Sequence, residues 1–323
     1  MLKKKFDILN QIDIDDINKV YQDNFEEIIY SFANLQIEWL HNAYNQYKDI
    51  DKYLILIKLI HKTLSTYNKH FYKVNFEKFY NSSHVEIEKV SIANLVKELN
   101  ISKETVRRKL NDLSKDGVIK RYQKKIGITY LSTNPKLKKN VFNLSKLIKI
   151  FLNNDKLKNL PSKEIEKKIL ANYTQYWTLF FNFQIPYILR WKELFKSNEN
   201  FYIFALCALN EIINSKKISK ISKDSLFYNL EYLHDNIPSV QKKTKGLNPT
   251  TISELSGIPR ATVIRKIRYL LKNDFLRKNE KNGLYVLNND PNSHSFKLQG
   301  RMFKENQKEL RIFIKEIINL IKN

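Results

Sequence analysis

Two stretches of this chain follow one pattern. Ile101, Thr105, Val106, Arg108, Lys109 and Leu113 recur as Ile258, Thr262, Val263, Arg265, Lys266 and Leu270, at a constant offset of 157 residues. Upstream, Phe32, Asn34, Gln36 and Ile37 recur as Phe180, Asn182, Gln184 and Ile185, at an offset of 148. The order is preserved, with nine extra residues between the two parts of the second copy. A chain built this way is expected to fold as two related halves, each a helical module followed by a smaller module. The expected fold is mainly α and internally duplicated, each half ending in a helix-turn-helix with a small β-hairpin.

The helical modules read from apolar spacing. Phe25, Ile28, Ile29, Phe32, Leu35, Trp39 and Leu40 fall on one helical stripe, and a second helix is expected over about 53–67. The counterpart is expected over 165–191 and then 201–213, with Pro186 kinking or breaking the first of these. Basic stretches at 215–223 and 240–246 read as linkers. The domain plan is an N-terminal helical module at 1–84, a first small helix-and-hairpin module at 85–135, and a basic helical connector at 136–164. A second helical module with its linker follows at 165–246, then a second small module at 247–291 and a C-terminal helix at 292–323.

The sharpest local signals lie at 91–132. Ser91 suits a helix cap ahead of Ile92, Leu95, Val96 and Leu99, and Asn100 tolerates the left-handed conformation of a tight turn. Ser102 then caps a second helix with Val106, Leu110 and Leu113 inward, leaving Lys103, Glu104, Arg107, Arg108 and Asn111 on the other face. Segments 118–122 and 128–131 read as strands joined by a basic turn. In the later copy Thr251 and Glu254 have capping-box spacing, Gly257 takes the turn, and Pro259 suits the first helical position. Asn282-Gly283 is a hairpin signal. Gly117, Gly127, Gly257 and Gly283 are all expected at turns.

With these residues in view, 98–121 (ELNISKETVRRKLNDLSKDGVIKR) and 255–278 (LSGIPRATVIRKIRYLLKNDFLRK) resemble winged helix-turn-helix domains of bacterial transcription regulators. The resemblance implies a recognition helix in the DNA major groove and a basic wing on the neighbouring backbone. By position it assigns Ser102, Lys103, Glu104, Thr105, Arg107 and Arg108 to DNA in the first copy, with Lys124 and Lys125 on the wing. In the second copy it assigns Pro259, Arg260, Ala261, Thr262, Ile264 and Arg265; Arg268 on the outward face of that helix and Lys281 on the hairpin are further DNA-binding candidates. Ile264 stands where the first copy has Arg107, so the two helices are expected to read differently.

Charge agrees with a polyanionic partner. Lys plus Arg number 57 against 33 Asp plus Glu, a formal charge of +24 in 323 residues. Residues 91–125 hold ten basic and four acidic side chains, a balance of +6, and 249–283 hold eight and three, a balance of +5. Basic charge is thus enriched where the resemblance places DNA. Lysine neutralises phosphate, whereas arginine can pair with guanine edges. The abundance of Lys, Asn and Ile throughout matches AT-rich coding and accounts for some of the rest.

Other classes are poorly supplied. One cysteine, Cys207, allows no internal disulfide and reads as a small buried hydrophobe. No apolar run approaches the ~18 residues of a membrane span. His41, His61, His70, His84, His234 and His294 show no metal spacing and no partner pattern for acid–base catalysis. The expectation is therefore a non-enzymatic cytoplasmic protein with no cofactor, metal or membrane partner, binding double-stranded DNA. The stripe of Leu310, Ile314, Ile317 and Ile321 leaves two uses open, homodimerisation through the C-terminal helix or docking on its own half. The reading is a transcriptional regulator that uses two heads on a bipartite site with half-sites about one helical turn, ~34–36 Å, apart. Alternatives are a plasmid-type replication initiator and a DNA-coating or scaffold protein without sequence preference. No residue set identifies a small-molecule effector.

Overall fold

The computed structural model describes residues 11–81, 85–87, 91–122, 125–128, 135–152, 160–218, 246–280 and 282–322. The fold is mainly helical with small antiparallel β elements. In chain order the helices are α1 (Ile14–Asp23), α2 (Phe25–Tyr47), α3 (Ile50–Lys69), α4 (Phe76–Tyr80), α5 (Ile92–Leu99), α6 (Lys103–Lys115), α7 (Pro135–Leu152), α8 (Ser162–Ala171), α9 (Tyr173–Phe195), α10 (Asn198–Ile218), α11 (Pro249–Ser256), α12 (Arg260–Lys272) and α13 (His294–Lys322). The strands are β1 (Val85–Ile87), β2 (Ile119–Tyr122), β3 (Lys125–Ile128), β4 (Leu276–Lys278) and β5 (Tyr285–Leu287).

The chain divides into two compact units. The first gathers the described residues within 1–19, 51–189 and 309–323. Its core is aromatic and aliphatic: Tyr80 and Tyr173 share a 2.8 Å hydroxyl contact among Phe76, Phe79 and Trp177. The burial of these two phenols pushes both pKa values up, that of Tyr80 to about 12. Far from being a bare connector, α7 buries Val141, Leu144, Leu147, Ile148 and Phe151.

The C-terminal stripe lies in this unit's core. Leu310, Phe313, Ile314, Ile317, Ile318 and Ile321 are all buried. Phe313 stacks on Phe183 at 4.9 Å, Asn319 accepts the Ile12 amide at 2.8 Å, and Lys168 donates to the Ile321 carbonyl at 2.7 Å. The stripe is covered by its own chain, the docked use of the two open to it.

The second unit gathers residues 20–50 and the described part of 190–308. Trp191, Phe195, Phe201, Phe204 and Phe275 stack in its core, with Phe195 4.5 Å from Phe275. Cys207 is buried here, and burial pushes its thiol pKa up. Arg190 forks onto the Asn306 side-chain oxygen at 3.0 and 2.8 Å.

Several expectations need correction. The helix expected over 165–191 is two helices, and the break falls at Asn172, not Pro186. α9 continues through Pro186 because Phe183, Ile185, Tyr187 and Ile188 around it are all buried, which offsets one missing hydrogen bond. The first linker begins later than expected, since α10 runs to Ile218; residues 219–245 lie outside the described residues. The second strand of the first hairpin starts at Lys125, earlier than the expected Ile128, with Ile126 and Ile128 pointing into the core at alternate positions; residues 129–131 of the expected strand lie outside the described residues. That puts Gly127 inside β3, opposite both Glu86 and Lys120, and not at a turn. The sheet has three strands in the order β1-β3-β2, and β1 was not anticipated.

Candidate nucleic-acid interface

In the first unit, α5 and α6 are joined by a three-residue turn whose geometry follows from its side chains. Ser91 caps α5, accepting from the Asn94 amide. Asn100 ends it in the left-handed conformation at φ 49°. Ser102 caps α6, accepting from the Thr105 amide at 3.2 Å and donating to the Thr105 hydroxyl at 2.8 Å. Those caps satisfy amides that the first helical turn leaves without intrahelical partners.

The register of α6 separates its faces. Val106, Leu110 and Leu113 are buried, as the spacing predicts. Ser102, Lys103, Glu104, Arg107 and Arg108 are exposed and Thr105 is half-buried. The six positions assigned to DNA therefore lie on one accessible edge, though Ser102 and Thr105 also hold the cap. Lys109 faces the interior, one position from Leu110, and adds nothing to that edge.

Residues 86–123 match the DeoR-like helix-turn-helix domain. This part of the chain is a helix-turn-helix of the DNA-binding kind. No curated protein and no solved structure matches the chain. The DeoR-like match takes in both helices, the turn and the first hairpin strand. Lys124 lies outside the described residues, and of Lys125 only the backbone, in β3, is described.

The DeoR-like domain is tied to α3 of its own unit by two ion pairs. Lys52 pairs with Asp116 at the end of α6, and Lys58 with Glu98 of α5 at 3.1 Å. Along α3, His61 Nε2 donates to the Asn182 side-chain oxygen at 2.7 Å, and burial lowers the imidazole pKa.

In the second unit α11 and α12 have a similar arrangement but different details. The cap of α11 is Asn248, which accepts from the Thr251 amide at 2.8 Å; Thr251 and Glu254 are inside the helix and form no capping box there. Pro249, without an N–H, takes the first helical position. Pro259 stands one place before α12, which begins at Arg260 and has no side-chain cap. Gly257 turns at φ 72°. Pro259, Arg260, Ala261, Arg265 and Arg268 are exposed, Thr262 and Ile264 half-buried, and Lys281 lies outside the described residues. Arg260 is tied back to the Thr250 hydroxyl at 3.2 Å.

The residues that hold this second arrangement in place were not anticipated. His41 of α2 has Nδ1 3.1 Å from the Leu255 carbonyl and 3.2 Å from the Tyr202 hydroxyl, and its Nε2 is 2.7 Å from the Asn45 amide nitrogen. A carbonyl can only accept, so the bond to Leu255 places the imidazole proton on Nδ1. The Asn45 side chain lies so close over Gly257 that a Cβ there would overlap its oxygen. Lys266 turns inward to Ser197 at 2.9 Å and Glu199 at 3.4 Å. Glu211, buried on α10, accepts from the Leu287 amide of β5 at 2.6 Å and from Asn289 at 3.4 Å.

Proposed function

We propose that this chain is a sequence-specific DNA-binding transcriptional regulator whose two helix-turn-helix heads read a bipartite site. The observation that carries the reading is the exposed edge of α6, where Lys103, Arg107 and Arg108 stand together on a domain that matches a DeoR-like helix-turn-helix. On this reading Arg107 and Arg108 reach base edges, while Lys103 meets phosphate. The reading assigns no catalysis, cofactor or metal to the chain, and it has one chain carry both heads.

Matching element lengths support a second head. α2 and α9 have 23 residues each, start 148 residues apart, and end at Lys48 and Lys196, both left-handed. α5 and α11 have eight residues each, α6 and α12 thirteen, and both pairs are 157 apart. Asn100 and Gly257 both take a positive φ, 49° and 72°, at the same offset. An ancestral duplication accounts for these equal spacings. Arg265, Arg268 and Lys272 on the exposed side of α12 give the second head its cationic face.

Selection of bound duplexes from a random DNA pool at physiological salt tests the reading. Recovery of a two-part site is expected. A single enriched half-site would remove the second head, and tight salt-dependent binding with no enriched sequence would replace base reading with coating.

A further inference from the structure

Phe71 and Tyr72, just beyond α3, are the most exposed of the described large apolar side chains, at 89% and 64%. They close the helix with a Schellman pattern: the Phe71 amide donates to Asn68 at 3.1 Å and the Tyr72 amide to Tyr67 at 2.8 Å. The apolar contact that accompanies this motif is present, with the Tyr67 and Tyr72 rings 6.2 Å apart. Tyr72 thus has a local role. Phe71 has none: it occupies the left-handed position at φ 60°, where glycine is unstrained, and points its ring into solvent.

The tip is rigidly mounted. Asn68 donates to the Thr178 hydroxyl at 2.8 Å, the Val74 amide to the Thr174 hydroxyl at 3.2 Å, and that hydroxyl to the Tyr72 carbonyl at 3.3 Å. Lys69, His70 and Lys73 flank it, all exposed. Residues 52–76 contain no Asp or Glu, and the next acid, Glu77, is taken by Lys138. Among the described residues no ion pair holds Lys69 or Lys73.

We propose that the Phe71 tip is a docking knob for another protein, one offering an apolar pocket with an acidic rim. Phe71 fills the pocket, and Lys69 and Lys73 meet the rim carboxylates. A residue in a strained backbone position whose ring packs on nothing gives the fold nothing, while a backbone held in place beneath an exposed aromatic suits a binding anchor. The nearest tie between α3 and the DeoR-like domain, Lys58 to Glu98, is thirteen residues back, ~20 Å along the helix axis. A duplex with its bases stacked offers the lysines phosphates but gives Phe71 no apolar pocket, which favours a protein as the occupant. Two rings also bury too little area for a lipid surface to be the better occupant.

Panning the full-length chain against a phage pool of disulfide-constrained random peptides tests this. Enriched peptides should carry Asp or Glu beside bulky apolar residues. They should lose about tenfold or more in affinity for Phe71→Gly and for the double variant Lys69→Glu, Lys73→Glu. Phe71→Gly removes backbone strain, so its melting temperature should hold or rise, and its duplex affinity should be unchanged. Absence of enriched peptides, enrichment of non-acidic ones, or equal binding to Phe71→Gly overturns the proposal. Loss of duplex affinity in Phe71→Gly at unchanged melting temperature would transfer the tip to nucleic acid. Flotation of the wild type, but not of Phe71→Gly, with phosphatidylserine vesicles would transfer it to lipid.

Discussion

The helix-turn-helix of α5 and α6 and the arrangement of α11 and α12 reach similar backbones by different means. The first is capped by its own serines, turns at Asn100, and is tied to its unit by ion pairs with partly exposed members. The second lacks a side-chain cap on α12 and turns at Gly257 under the Asn45 amide. It is held from outside by His41 and Glu211, and by Ser197 and Glu199, onto which Lys266 of α12 turns. Local sequence therefore largely determines the first, while the second depends on α2 and α10. Perturbing the supports should separate the two.

The largest separation is expected from Glu211. Burial pushes its carboxyl pKa from the ordinary 4.5 up to about 7, against smaller opposing effects of the Leu287 amide, Asn289 and Arg277; the Cys207 thiol also lies within its electrostatic reach. Between those values the native state holds a proton that the unfolded chain has released, so stability is full below pH 4.5 and lost as pH rises through about 7. The difference of 2.5 pKa units corresponds to about 3 kcal/mol. Glu211→Gln keeps an acceptor for Leu287 without the charge. It should match wild type in acid and gain up to that amount at pH 8, read by chemical denaturation and by hydrogen exchange in β5. A loss that grows as pH rises would mean the charged carboxylate is the anchor. In the first unit His61 acts with the opposite sign: its lowered pKa makes stability fall as pH drops below the ordinary ~6.5.

The turns give the next contrast. Gly257→Ala adds left-handed strain and an overlap with Asn45, together about 2–4 kcal/mol, whereas Asn100→Ala adds the strain alone, about 1 kcal/mol. A double-mutant cycle with Asn45→Ala should recover the overlap in the Gly257→Ala background and nothing in the Asn100→Ala background. Independence of Asn45 and Gly257 would remove the clamp from the account.

At the candidate interface itself, Arg108→Ala and Arg265→Ala should each cost ~1–3 kcal/mol on the preferred site, with relaxed preference at different half-sites. Equal loss on every sequence would reduce either arginine to a phosphate contact. Because Ile264 stands where α6 has Arg107, the effect of Arg265→Ala should be the less sequence-dependent of the two.

What the sequence made legible was what repeats locally. Val106, Leu110 and Leu113, and likewise Val263, Ile267 and Leu270, are buried as helical spacing requires, and Ser91, Ser102 and Asn100 perform the cap and turn roles their chemistry suits. β1 was not legible, because three residues carry too little alternation to distinguish them from a loop. Nor was the inward turn of Lys109 and Lys266: a lysine beside a buried leucine or isoleucine is read as basic surface until its partner is known, and Glu199 lies 67 residues from Lys266. The His41 contact with Leu255 spans 214 residues and leaves no periodic trace. The candidate interface was thus visible in outline, and its supports were not.

The smallest effect expected tests the claim that the first arrangement needs little outside help. Asp116 is about half exposed, and Lys52 reaches it through water-accessible surface, so screening and side-chain entropy reduce the worth of the pair. Asp116→Asn should cost no more than ~0.2–1 kcal/mol, shrinking further in high salt, and should leave duplex affinity within about twofold. The matched variant in the second unit, Glu199→Gln, removes a less exposed partner of Lys266 and should cost more, with weaker salt dependence. Equal costs for the two variants would erase the proposed difference in how the arrangements are held. A large salt-independent loss in Asp116→Asn would instead show that α6 depends on α3 as strongly as α12 depends on α10.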